Sequence, residues 1–110
     1  MAKSIHTYEE LLELLKNSER EFDTDLINRA YQLANASHSE QKRLSGEPYI
    51  IHPLSVAGIL VELGMDSESI AAGLLHDVVE DTPITLQQIT KMFSKEIAYL
   101  IDGVTKLGRI

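Results

Sequence analysis

Residues 69–81 read Ser69-Ile70-Ala71-Ala72-Gly73-Leu74-Leu75-His76-Asp77-Val78-Val79-Glu80-Asp81, and this stretch decides the fold. From Ile70 to Val79 it is apolar nearly all round, the pattern of a helix buried on every side. Ser67 is the candidate cap at its start, and Pro83 ends it. Such a helix needs other elements to cover it, so the flanking sequence has to say what they are.

Upstream, Thr7 followed by Glu10 spells a capping box, with Leu11, Leu12, Leu14 and Leu15 as the apolar stripe behind it. Asp23 or Thr24 opens a second helix through Leu26, Ile27, Ala30, Tyr31, Leu33 and Ala34, which fades over residues 37–40. The stretch Arg43–Pro48 contains Ser45-Gly46 and Glu47-Pro48 and reads as a turn. Pro53 suits the first turn of a third helix, along which Val56, Ile59, Leu60 and Leu63 run until Gly64. Downstream, Thr85 with Gln88 forms another capping box ahead of Ile89, Met92 and Phe93. Ser94 starts a last helix with Ile97, Leu100, Ile101 and Val104. Strand alternation is almost absent. The expectation is an all-α domain of about six helices joined by short connections.

Composition bounds what such a domain does. The chain has 110 residues with 44% hydrophobic and 25% charged, a balance suited to one globular domain rather than to disorder. It has no Cys, which excludes disulfides, thiolate metal sites and a Cys nucleophile. No apolar run approaches the roughly 18 residues of a membrane span, and Met1–Lys16 is too polar for a secretory signal, so the expected compartment is the cytoplasm. A net charge of −7 argues against nucleic-acid binding, which relies on Lys and Arg neutralising phosphates. A phosphorylated small molecule stays within reach, because a divalent cation and a few local basic groups outweigh a distant negative surface.

The chemistry sits on the apolar helix itself. His76 and Asp77 interrupt it, and Glu80 and Asp81 follow at once. Glu80 lies four residues after His76 and Asp81 four after Asp77, so each pair shares a helix face. His76 and Asp77 are about 100° apart around the helix and can converge on one point beside it. A divalent cation there would compensate the buried charge, leaving Glu80 and Asp81 to orient or deprotonate a water. The residues alone also admit an exposed helix end with ordinary surface charges, although acidic groups oppose the dipole at a helix C-terminus. His52, held extended because it precedes Pro53, is a second candidate ligand at a helix entrance. His6 and His38 sit in polar stretches and read as surface residues. Arg43, Ser45 and Tyr49 flank a glycine turn that is either a plain connection or a loop closing on a nucleotide. Lys106 either meets phosphate or merely favours a helix C-terminus.

Taken together, these pieces resemble one family. His52 and the run Gly73-Leu74-Leu75-His76-Asp77-Val78-Val79-Glu80-Asp81-Thr82 look like the HD phosphohydrolase pattern. Ser45-Gly46-Glu47-Pro48-Tyr49-Ile50-Ile51-His52-Pro53 and Asp102-Gly103-Val104-Thr105-Lys106-Leu107 look more narrowly like the N-terminal hydrolase domain of the long RelA/SpoT alarmone enzymes. The resemblance implies the N-terminal part of an HD-domain helical bundle. It also implies Mn²⁺-dependent removal of the 3′-pyrophosphate from (p)ppGpp, leaving GDP or GTP. By the same resemblance His52, His76 and Asp77 are metal ligands, and Glu80 and Asp81 activate or position the attacking water. Arg43 packs on guanine, with Ser45 and Tyr49 nearby and Lys106 towards phosphate. Two imidazoles with carboxylates suit Mn²⁺ or a transition metal better than Mg²⁺.

The family uses a fourth ligand, an Asp on a helix well downstream, and nothing in this sequence fills that place; Asp102 belongs to the Asp-Gly-Val-Thr motif. The expectation is therefore that residues 1–110 are the N-terminal portion of a hydrolase domain, without the synthetase and regulatory domains. Such a piece would bind metal weakly or not at all, be inactive alone, and expose apolar surface that invites self-association. Two other functions compete: a nucleotide sensor without turnover, against which Glu80 and Asp81 argue, and an HD enzyme for another nucleotide, against which the Ser45–Pro53 motif argues.

Overall fold

The computed structural model describes residues 5–38, 46 and 48–107, with side chains to 104; among these it has six helices and no β-strand. They are α1 (Tyr8–Asn17), α2 (Thr24–Ser37), α3 (Ile51–Glu62), α4 (Ser67–Asp81), α5 (Leu86–Met92) and α6 (Lys95–Leu107). The apolar stretch is α4, and it lies at the centre, packed against α2, α3 and α6. Ile70, Leu74, Leu75 and Val78 are fully enclosed there, and Ala71, Ala72 and Gly73 let the neighbours approach. Burying a side chain of the Leu or Ile class contributes about 1.5–3 kcal/mol, so this helix anchors the core. α1 leans on α3 and α5 on α6.

Caps define most of the helix starts. Both capping boxes form, Thr7 with Glu10 and Thr85 with Gln88, and Asp23 accepts from Leu26 N–H at 3.0 Å. The expected cap of α4 is corrected. Asp66, extended at φ −81° and ψ 174°, accepts from Ser69 N–H at 2.9 Å, so the helix begins at Ser67. A carboxylate is the stronger acceptor at a helix N-terminus, where the dipole also favours negative charge. The Ser67 hydroxyl instead accepts from Asp23 N–H at 2.8 Å and ties the start of α2 to the start of α4. At the end of α5, Arg29 reaches from α2 to donate to the Met92 carbonyl at 2.7 Å and lies over the Phe93 ring.

α3 departs from expectation twice. Pro53 does lie in its first turn, but His52 is helical too, because the helix starts at Ile51 and Ile50 already has φ −62° and ψ −23°. The clash of a proline ring with its predecessor is a bias; here Ile51 N–H to Pro48 O and His52 N–H to Tyr49 O, both 3.2 Å, hold the turn that overrides it. The stripe Val56, Ile59, Leu60 and Leu63 is not the core face either: Ile59 and Leu63 are 52% and 69% exposed. The buried face is Pro53, Leu54, Ala57, Gly58 and Val61. Both stripes have helical spacing, and the one with the smaller residues wins because it lets elements approach closely. Leu12, Met92 and Val104 of the other expected stripes also face outward.

Gly58 marks the tightest of these approaches. A Cβ there would stand 2.6 Å from Cγ1 and 3.3 Å from Cβ of the buried Ile5, whose carbonyl accepts from the Ser55 hydroxyl. Gly58→Ala should lower stability by on the order of 1 kcal/mol, because overpacking outweighs the gain in helix propensity. Gly73→Ala should change it less, since the added methyl meets the far end of the Leu60 side chain at 2.6 Å. Chemical denaturation checks both; an undiminished midpoint for Gly58→Ala refutes the tight contact.

The Asp66 cap has a pH signature. Hydrogen bonds from the Ser69 side chain and backbone hold its carboxyl below the usual carboxylate value. A depressed value means that the stabilisation is present above the unfolded-state pKa and is lost as pH falls through the folded one. Asp66→Ala should therefore cost about 1 kcal/mol at neutral pH, and the difference from wild type should close in acid. Denaturation midpoints across pH measure this, and a gap that stays constant into strong acid contradicts it.

Candidate metal centre

His52 lies in the first turn of α3, and His76 and Asp77 lie about a turn before the end of α4. Because α3 packs on α4, these positions meet: one ligand atom from each of the three residues falls within 4.8 Å of the others. His52 Nε2 stands 3.6 Å from Asp77 Oδ2, and His76 Nε2 stands 3.3 Å from Asp77 Oδ1. The two imidazoles meet edge to face, with centroids 5.4 Å apart. The Asp77 side chain is 13% exposed, so its charge sits at the rim of the core with one side open to solvent.

The tautomer of His76 follows from its neighbour. Its Nδ1 stands 2.6 Å from the Gly73 carbonyl oxygen, which can only accept, so Nδ1 carries the proton. Nε2 of the neutral ring then turns a lone pair on a carboxylate oxygen 3.3 Å away. Two acceptors at that separation repel unless a proton or a cation lies near both. A backbone carbonyl fixing Nδ1–H so that Nε2 ligates is also the usual support of a metal-bound imidazole. Two imidazole nitrogens with a carboxylate form a donor set for Mn²⁺ or a transition metal, less so for Mg²⁺. The residues present therefore fit a divalent metal.

The flank of the trio is apolar. A cavity of about 380 Å³ between α3, α4 and α6 is lined by Val56, Leu60, Ala72 and Leu100, with His52 and His76 at its edge. Low polarity on that side strengthens every charge interaction of the trio.

The other candidates separate into groups. Glu80 and Asp81 are exposed at the end of α4, outside the trio. Asp81 accepts a hydrogen bond from the Tyr49 hydroxyl, so the structure pairs Tyr49 with Asp81. Arg43 and Ser45 lie outside the described residues, and Lys106 falls in α6 with its side chain outside them. His6 is exposed, but His38 is not: it is 2% exposed and stacks on Tyr49, with centroids 4.4 Å apart and planes 17° from parallel. Its signal was present in the sequence, since Ile27, Ala30, Ala34 and His38 continue one helical stripe.

In the metal-free chain under mildly alkaline conditions, His76 should be the Nδ1–H tautomer, with Nε2 giving the ¹⁵N shift of an unprotonated ring nitrogen. Adding a diamagnetic divalent metal such as Zn²⁺ should move that Nε2 resonance and the one of His52. A proton on Nε2 of neutral His76, or resonances indifferent to metal, would sink the assignment.

A family model described as an HD domain matches residues 30–110. The guanosine-3′,5′-bis(diphosphate) 3′-pyrophosphohydrolase of Aquifex aeolicus is 57% identical over 84 residues, covering 76% of this chain and 12% of that protein. The GTP pyrophosphokinase of Myxococcus xanthus is 53% identical over 87 residues, covering 79% of this chain and 12% of its own length. The bifunctional (p)ppGpp synthase/hydrolase SpoT of Escherichia coli is 42% identical over 106 residues, covering 96% of this chain and 15% of its own length. The chain thus spans between 12% and 15% of the length of these relatives.

Proposed function

The chain belongs to the HD-domain family, in its RelA/SpoT branch, and on that premise we propose that it is the N-terminal portion of a cytoplasmic Mn²⁺-dependent hydrolase domain acting on (p)ppGpp. The reaction is hydrolysis of the bond between the 3′ oxygen and its pyrophosphate, leaving GDP or GTP. The observation that carries this reading is the meeting of His52, His76 and Asp77 at the end of an otherwise apolar helix. The printed activities of the relatives supply the substrate class.

His52, His76 and Asp77 would hold the Mn²⁺. That ion supplies Lewis acidity towards phosphate oxygens and lowers the pKa of water. The remaining work falls to the chain's own side chains. His76 keeps its Nε2 lone pair on the site because the Gly73 carbonyl occupies Nδ1–H. Glu80 and Asp81, open to solvent, orient the attacking water and take up its proton. Asp81 does so from a position held by Tyr49. Arg43 packs on the guanine, Ser45 and Tyr49 border it, and Lys106 meets phosphate. The two cations, Arg43 and Lys106, matter because the chain carries a net charge of −7 and its substrate is strongly anionic.

The test uses a full-length protein carrying this sequence, incubated with ppGpp and Mn²⁺ while release of GDP and pyrophosphate is followed. Glu80→Gln should lower kcat on the order of 100-fold or more with Mn²⁺ affinity retained. His76→Ala should instead weaken Mn²⁺ binding, and hydrolysis should fall with it. Mn²⁺-dependent hydrolysis that survives His76→Ala refutes the site, and a folded, Mn²⁺-loaded protein that leaves ppGpp intact refutes the reaction.

A further inference from the structure

Asp81 ends α4, where its exposed carboxylate opposes the helix dipole and where helices fray. A side chain so placed samples several rotamers unless something holds it. The Tyr49 hydroxyl does, by donating to its Oδ2. Tyr49 itself stands in the short turn Pro48–Ile50 that leads into α3. What fixes its ring is His38: a buried imidazole at the C-cap of α2, lying parallel to the phenol at 4.4 Å. His38 in turn is placed by α2, with its N–H donating to the Ala34 carbonyl at 3.0 Å and its side chain on the stripe of Ile27, Ala30 and Ala34.

We infer that His38 is a positioning residue of this site: its buried ring orients Tyr49, and Tyr49 orients the Asp81 carboxylate. The chain of contacts runs from the end of α2 through the entrance of α3 to the end of α4. Tyr49 precedes His52 by three residues and Asp81 follows Asp77 by four, so the tether brackets the trio on both helices that carry it. Along α4 the backbone of Asp81 lies about 6 Å beyond that of Asp77, at 1.5 Å of rise per residue, and the tether limits where its carboxylate swings from there. A water held by Asp81 needs a fixed partner at that distance, since small misplacements of catalytic groups lower rates steeply. Stacking supplies that fixity through the Tyr49 side chain, while the Tyr49 carbonyl separately accepts from His52 N–H at the start of α3. The catalytic part of this inference rests on the hydrolase reading; the mechanical part does not.

Two measurements separate the parts. In the isolated chain, the ¹³C shift of the Asp81 carboxyl reads its hydrogen bond from Tyr49. Tyr49→Phe should move that shift, His38→Ala should move it in the same direction, and His38→Phe, which keeps a stacked ring, should leave it near wild type. In the full-length, Mn²⁺-loaded protein, His38→Ala should lower kcat by about 10- to 100-fold with Mn²⁺ affinity unchanged. His38→Phe should restore it, and the His38→Ala/Tyr49→Phe double variant should be no slower than the slower single.

An Asp81 shift unmoved by His38→Ala overturns the coupling, and single-variant effects that multiply in the double overturn its route through Tyr49. Lost Mn²⁺ affinity in His38→Ala overturns the claim that the stack acts apart from the trio. Where His38→Ala does not fold, His38→Phe decides: a folded variant with the Asp81 shift of Tyr49→Phe overturns the inference. A wild type that binds Mn²⁺ but leaves ppGpp intact overturns the hydrolase reading and the catalytic part here, while the carboxyl shift still judges the mechanical part.

Discussion

The charge of Asp77 is the constraint on which the site depends. It sits at the rim of the core, on a helix whose other faces are apolar, between two imidazole nitrogens at 3.3 and 3.6 Å. A carboxylate taken this far from water needs compensation. One imidazole has its proton committed to the Gly73 carbonyl, so neutral His76 offers Asp77 a lone pair and no donor. A divalent cation among the three would supply that compensation, and its binding would stabilise the folded chain by mass action.

Packing turns this local need into a geometry. His52 belongs to α3 and the other two residues to α4, so their separation is a helix–helix distance. That distance is set by small residues. Gly73 lies one turn before His76 and leaves space that the Leu60 methyl fills, and Ala57 and Gly58 let α3 settle against Ile5 on its other side. Gly73 thus has two roles at one position: its missing side chain admits α3, and its carbonyl selects the tautomer of His76. A larger residue at position 73 would widen the gap across which His52 has to reach.

Most of the helical frame is legible in the sequence, because it is written in local chemistry. Thr7 with Glu10, Thr85 with Gln88 and Asp23 are caps whose partners lie three residues away, and the apolar length of α4 announces its burial. The spacing of His76 and Asp77 marks the position of the trio for the same reason. What was not legible depends on partners distant in sequence. α3 has two apolar stripes of equal period, and only its packing against α1 and α4 decides which is buried. Ser67 reads as a cap until Asp23, 44 residues earlier, is seen to use its hydroxyl. His38 reads as polar surface until its stripe on α2 and the Tyr49 ring are placed around it.

The same distinction separates the two acidic groups of α4. Asp77 belongs to the buried frame, and its position follows from helix packing that many core residues jointly enforce. Asp81 lies beyond that frame, at a helix end that packing does not reach and that the dipole disfavours. Holding it requires a separate device, and Tyr49 with His38 provides one that is anchored in the core at α2. Asp77 comes from the packed part of α4 and is partly dry, whereas Asp81 comes from its exposed end. Here the helix fixes the first, and an aromatic stack reaching out from a neighbouring helix fixes the second.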